Sequence, residues 1–198
     1  MSITSEPGTR LRGLPIFLIV SGFVGLVAAF ALTLEKIHKL TNPDEAASCD
    51  FSVIVQCGKN LGSWQGSLFG FPNPLIGLMA WSVVITIGVG ILAGARYANW
   101  FWRAFVIGTA GAFAFVIWLF SQSVFVLGTL CPWCMVTWFA VIPLFWVATF
   151  WTMKNGIWGA KATRLGETLL SWVVIITLAS YLIEAVIAQL VLNWVGTL

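Results

Sequence analysis

The chain has 198 residues, of which 60% are hydrophobic and only 9% charged, and its mean hydropathy is +0.96. A water-soluble domain cannot bury so large an apolar fraction, so a soluble globular protein is excluded and the lipid bilayer is the expected solvent and partner. The net charge of +3 comes from Lys and Arg scattered along the chain, which excludes a nucleic-acid-binding surface.

Crossing about 30 Å of hydrocarbon takes roughly 20 helical residues, and uncharged stretches of that length predict five spans. The first runs over residues 14–34. Two arginines before it and Ala29-Phe30-Ala31 near its end imitate a secretory signal, but its uncharged length exceeds a signal core and predicts an uncleaved helix. A loop over 35–73 follows, rich in glycine and proline, in which Phe51, Val53, Ile54 and Val55 are expected to form a short element on the membrane surface. The second span is predicted over 74–95. The uncharged stretch between Arg103 and Lys154 holds two more, 104–126 and 131–151, with Ser121, Gln122, Ser123, Gly128, Thr129 and Pro132 reading as the turn between them. The fifth, 168–194, is interrupted only by Glu184, which is expected near the outer interface if that helix ends early. The prediction is thus an all-α integral membrane protein forming a single domain over residues 1–198, with no internal repeats.

Orientation follows from the short flanks of the spans. Arg10, Arg12, Arg96, Arg103, Lys154, Lys161 and Arg164 all fall on one side, which is expected to be cytoplasmic. The 35–73 loop and the Gly128 turn then lie on the extracytoplasmic face of the cell membrane. All four cysteines, Cys49, Cys57, Cys131 and Cys134, map to that face, where disulfides are permitted.

Cys131-Pro132-Trp133-Cys134 suits thiol exchange. Pro132 is at home in the first turn of a helix, where its missing N–H has no partner to lose. A helix starting at Cys131 puts that thiol at the positive end of the helix dipole, which favours negative charge there. Cys134 falls one turn deeper on the same face. Cys131 is therefore expected to be accessible and Cys134 to face the bundle interior. A zinc site would need further thiolate or imidazole ligands, and the one histidine, His38, lies near the far end of the loop. Covalent haem attachment is excluded because Met135, not His, follows Cys134. A purely structural bridge gains little, since a two-residue loop constrains little chain entropy. Cys49 and Cys57, with seven residues between them, read either as a loop staple or as a second redox pair. Two dithiols on one face permit a relay, and its electrons need an acceptor; an apolar cavity beneath Cys134 points to a lipid-soluble quinone.

The first helix, Cys49 and Cys57, the segment "LGSWQGSLFGFPNPLIGL" and Cys131-Pro-Trp-Cys134 together resemble the vitamin K epoxide reductase (VKOR) family in its bacterial form, over most of the chain. The order of the pairs, spaced first and C-x-x-C second, is the reverse of that in disulfide bond formation protein B. The resemblance implies a four-helix bundle around a quinone, a loop half-helix capping the pocket, and a peripheral fifth helix. It implies that Cys49 meets a thioredoxin-fold partner, Cys57 exchanges with Cys131, and Cys134 reacts with the quinone, either menaquinone or ubiquinone. Ser63 matches a loop Ser/Thr of the family, and Asn73 falls where relatives place an asparagine that hydrogen-bonds a quinone oxygen. On their own, Ser63 also reads as the cap of a short helix and Asn73 as a turn residue before Pro74. Trp138 stands where vertebrate members have a tyrosine. Its indole donates one N–H and cannot ionise, which departs from the family's hydrogen-bonding group at that position and leaves stacking open. With no thioredoxin domain after the fifth helix, the partner is expected to be a separate extracytoplasmic protein. The function implied is a membrane thiol oxidoreductase supporting disulfide formation. The alternatives are reduction of a quinone epoxide and a non-catalytic membrane protein with two structural disulfides.

Overall fold

The computed structural model describes residues 13–193, so Arg10, Arg12 and position 194 of the expected fifth span lie outside the described residues. Every regular element among these residues is a helix. They are α1 (Gly13–Thr41), α2 (Gly58–Gly62), a short 3-10 helix (Trp64–Ser67), α3 (Pro74–Leu92), α4 (Asn99–Ser121), a π-helical extension of α4 (Gln122–Leu127), α5 (Pro132–Lys154), α6 (Ala160–Ser171) and α7 (Val173–Leu192). Among the described residues, five stretches are long and apolar enough to cross a membrane: Gly13–Thr41, Pro74–Leu92, Asn99–Leu127, Pro132–Lys154 and Val173–Leu192. Helices satisfy their own backbone hydrogen bonds, which lipid cannot do for them.

Helix α1 packs along both α3 and α5, α4 packs along α5, and α7 leans on the outside of α5. Between helices in lipid, packing depends on close approach, and small residues provide it. Gly22, Gly25, Ala28 and Ala29 form the buried seam of α1, and Trp81 of α3 fills it. A Cβ built on Gly25 would lie 2.1 Å from the Trp81 ring, so only glycine fits.

Pro143 lies inside α5 and removes the N–H that would pair with the carbonyl of Phe139. Tyr181 of α7 donates its hydroxyl to that carbonyl at 2.7 Å, and Trp146 Nε1 donates to Ser180 Oγ at 3.3 Å. A proline defect in one span thus becomes the attachment point of another.

Several boundaries differ from the sequence expectation. Helix α1 continues through Glu35, Lys36, His38 and Lys39 to Thr41, because those charged side chains project above the apolar segment without breaking the helix. Helix α4 begins at Asn99, and Arg103 lies inside it with Nε and Nη2 donating to the carbonyl of Ile157 at 3.1 and 2.8 Å. Ser121, Gln122 and Ser123 are helical; the turn starts only at Gly128, whose φ of 66° ends the π-helical stretch in the left-handed conformation that glycine tolerates. The residues from 168 to 171 belong to α6, a separate helix exposing Lys161, Arg164 and Glu167, with a break at Trp172 before the fifth span. Glu184 is not at an early end: α7 runs on to Leu192, and Glu184 Oε1 is buried without a hydrogen-bond partner. Phe51 to Val55 form no helix. Phe51 and Val53 are exposed, and Val55 makes one parallel bridge to Leu130.

Candidate active site at the mouth of the bundle

The loop between α1 and α3 folds over the end of the bundle as a cap. Its first anchor is covalent, a disulfide joining Cys49 to Cys57 with Cα atoms 5.6 Å apart. Asp50 sits inside the closed loop. Its Oδ1 accepts from the backbone N–H of Cys57 (2.7 Å) and Gly58 (2.8 Å), and Oδ2 from that of Ala47 (3.1 Å), so one carboxylate orders both ends of the disulfide segment. Asp50 carries no local capping signal in the sequence, because the N–H groups it binds at Cys57 and Gly58 lie seven and eight residues further on.

The cap is seated on the bundle by polar contacts. Lys36 Nζ on α1 donates to the carbonyl of Leu61 on α2 at 2.5 Å. Asn60 Nδ2 donates to Thr129 Oγ1 at 2.9 Å, and Ser123 Oγ lies 3.1 Å from Asn60 Oδ1. The Val55–Leu130 bridge adds backbone bonds from Gln56 N to Leu130 O (3.0 Å) and from Leu130 N to Ile54 O (2.7 Å). Because Cys57 follows Val55 by two residues and Cys131 follows Leu130 by one, this bridge brings the two cysteine segments together. Cys49, Cys57 and Cys131 pack in one buried cluster with Leu32, Ala47 and Leu61, and Trp133 and Cys134 lie against it.

Cys131 is the N-cap of α5 and Pro132 its first residue. The Cys131 sulfur accepts from the backbone N–H of Cys134 at 3.4 Å, the bond an N-cap side chain makes to the third helical residue. Both cysteines are free thiols. The expectation that Cys131 is accessible is corrected: the cap buries it completely, at 0% exposure, as it does Cys57. A helix mouth is open to solvent only if no loop folds over it, and this loop does.

Beneath the cluster lies a cavity of about 460 Å³, walled mainly by α3, α4 and α5 and roofed by the cap. Cys134 and Trp138 contribute from α5, and Ser63, Gln65 and Asn73 from the cap segment. Trp138 is buried and meets Phe120 edge to face, centroids 5.5 Å apart. Ser63 caps the 3-10 helix, accepting from Gly66 N at 3.3 Å and donating to Asn60 O at 2.7 Å. Asn73 donates from Nδ2 to Gln65 O at 2.6 Å and accepts at Oδ1 from Leu68 N at 3.1 Å. Both side chains therefore border the cavity while their hydrogen bonds hold the cap in shape. Asn60 and Gln65, which also line the cavity, carry no signal in the sequence, and Gln122 reads there only as a turn residue.

The architecture is a helical membrane bundle with one cysteine pair in a cap, a second at a helix start, and an apolar cavity below. Residues 16–149 match the profile of the Vitamin K epoxide reductase family, which takes in most of α1, the whole cap, α3, α4, most of α5 and all four cysteines. No curated protein matches the chain. The chain belongs to the vitamin K epoxide reductase family and is a membrane oxidoreductase with redox chemistry centred on its cysteines.

Proposed function

We propose that the protein oxidises a separate extracytoplasmic thioredoxin-fold protein and passes the electrons through its two cysteine pairs to a membrane quinone, supporting disulfide formation. The observation that carries this reading is the packing of the Cys49–Cys57 disulfide against Cys131 while Cys134 borders an apolar cavity.

The relay balances as a sequence of exchanges. A partner thiolate attacks Cys49, Cys57 leaves as a thiolate, and the partner's second thiol then releases Cys49, so the partner becomes a disulfide and the loop a dithiol. With the Cys131–Cys134 pair oxidised, Cys57 thiolate attacks Cys131 and Cys134 leaves. Cys49 then attacks Cys57, which re-forms the loop disulfide and frees Cys131. The cap pair is then oxidised and Cys131 and Cys134 are thiols, the combination found in the structure. A bound quinone supplies a two-electron, two-proton acceptor. Cys131 and Cys134 give up two electrons and two protons as their disulfide re-forms.

The cavity suits a flat, largely apolar ring beside a thiol: it has the volume of a small-ligand site and apolar walls with a few polar groups. Trp138 contributes a ring face or edge, and Ser63 and Asn73 shape the roof. Helices α3 and α4 wall the cavity without packing closely on each other, which leaves room for an isoprenoid tail to reach lipid. The cap end is assigned to the extracytoplasmic face of the cell membrane, since Arg96, Lys154, Lys161 and Arg164 gather at the other end of the spans.

Proteoliposomes supplied with a reduced thioredoxin-fold protein and either ubiquinone or menaquinone should oxidise one partner dithiol per quinone reduced. Cys134→Ala should abolish quinone reduction, and a partner whose second cysteine is replaced by alanine should be trapped as a mixed disulfide on Cys49, since the thiol that would release it is absent. Absence of partner oxidation with both quinones would overturn the proposal.

A further inference from the structure

The polar side chains around the cavity are nearly all committed to the protein itself. Asn60 bonds Thr129, Ser63 and Asn73 hold the cap backbone, Thr109 donates to Val106 O, Ser123 lies 2.5 Å from Thr129 O, and Thr137 donates to Trp133 O. Gln65 is the exception. It is 96% buried by its 4% exposure, its Nε2 donates to Gln122 Oε1 at 3.3 Å, and its Oε1 has no partner at all. An unpaired buried amide oxygen costs free energy that evolution readily removes with an apolar side chain of similar shape. The same side chain lines the cavity together with Gln122.

From this we infer that Gln65, oriented by Gln122, is the residue that hydrogen-bonds the headgroup oxygen of the quinone. The inference rests on the quinone reading above and assigns the contact to Gln65, because its Oε1 is a buried atom left without a partner in a side chain that lines the cavity. Once its amide turns from the sealed position toward the cavity, the free Gln65 Oε1 is an acceptor and matches the O–H of a hydroquinone. A half-turn of both amides keeps the Gln65–Gln122 bond and presents an N–H, which matches the carbonyl of a quinone. The pair thus serves both redox states of the ligand without moving its backbone.

The test uses the full-length protein in nanodiscs and short-tailed ubiquinone and menaquinone carrying ¹³C-labelled carbonyls. In the wild-type protein, isotope-edited infrared spectra should place one carbonyl stretch below its position in hydrocarbon. In Gln65→Met, which keeps side-chain length and removes both polar atoms, that band should return upward and the Kd for the quinone should rise about 5- to 10-fold, the loss of one neutral hydrogen bond. Without quinone, Gln65→Met should melt no lower than Gln122→Met, since both variants lose the same 3.3 Å Gln65–Gln122 bond. Gln122→Met retains Gln65 but frees its amide, and should broaden the band and weaken binding about 2- to 3-fold; it also provides the readout if Gln65→Met does not fold. An unchanged band and Kd in these variants would overturn the inference. So would a Gln65→Met protein whose quinone-free stability falls below that of Gln122→Met along with its affinity, which would mark Gln65 as structural. Binding of neither quinone by the wild-type protein would instead sink the proposed function itself.

Discussion

Asn60→Ala offers a direct measure of how firmly the cap is held. In the structure Asn60 joins α2 to the α4–α5 turn through its bond to Thr129 Oγ1 at 2.9 Å and through Ser123 Oγ at 3.1 Å, a hydroxyl it shares with Thr129 O. One buried hydrogen bond is lost outright and a second in part, and at about 1 kcal/mol net for each the cap is weakened by about 1–2 kcal/mol. That corresponds to a rise of roughly 5- to 30-fold in the population with the cap lifted. Cys131 reports on this population because it is fully buried when the cap is down. In a Cys134→Ser background, with Cys49 and Cys57 bridged, Cys131 is the single free thiol, and its alkylation by an impermeant maleimide follows the open fraction when closing outpaces reaction. The expected result is a 5- to 30-fold faster alkylation in Asn60→Ala, with melting of the bundle little changed. If Cys131 in the parent reacts as fast as in the variant, the cap does not close over it and the reasoning is refuted.

Other parts of the fold make equally specific predictions. Gly25→Leu inserts a side chain where even a Cβ would lie 2.1 Å from the Trp81 ring, so α1 and α3 must separate; an overpacking loss of about 1–3 kcal/mol should appear as a lower melting temperature in detergent, and an unchanged one would contradict the packing described. Tyr181→Phe removes the donor that satisfies the Phe139 carbonyl beside Pro143. A loss of about 0.6–2 kcal/mol should follow, read as faster amide exchange in α7 with α1 and α3 unaffected.

Much of this arrangement follows from local pattern. Pro132 ahead of an apolar run set the start of α5 at Cys131, and the two-residue spacing put Cys134 one turn further in. Where charge was used as a helix terminator the reading failed, since Lys36 and Arg103 lie inside helices and bond carbonyls of distant segments. The α6 helix was overlooked because Lys161, Arg164 and Glu167 make it too polar to register as a span, although its spacing is helical.

What the sequence alone determined is whatever depends on near neighbours and on solvent: a bilayer protein of apolar helices, with two cysteine pairs whose spacing and order are those of the family. What only the tertiary structure decided is which groups meet across long separations. The Val55–Leu130 bridge sets the cap cysteines beside Cys131, the cap buries a thiol that the helix start alone would expose, and Gln65 becomes the unpaired amide only because its neighbours around the cavity find partners elsewhere. Burial and hydrogen-bond satisfaction are properties of the assembled packing, to which every contacting segment contributes, and no single stretch of chain encodes them.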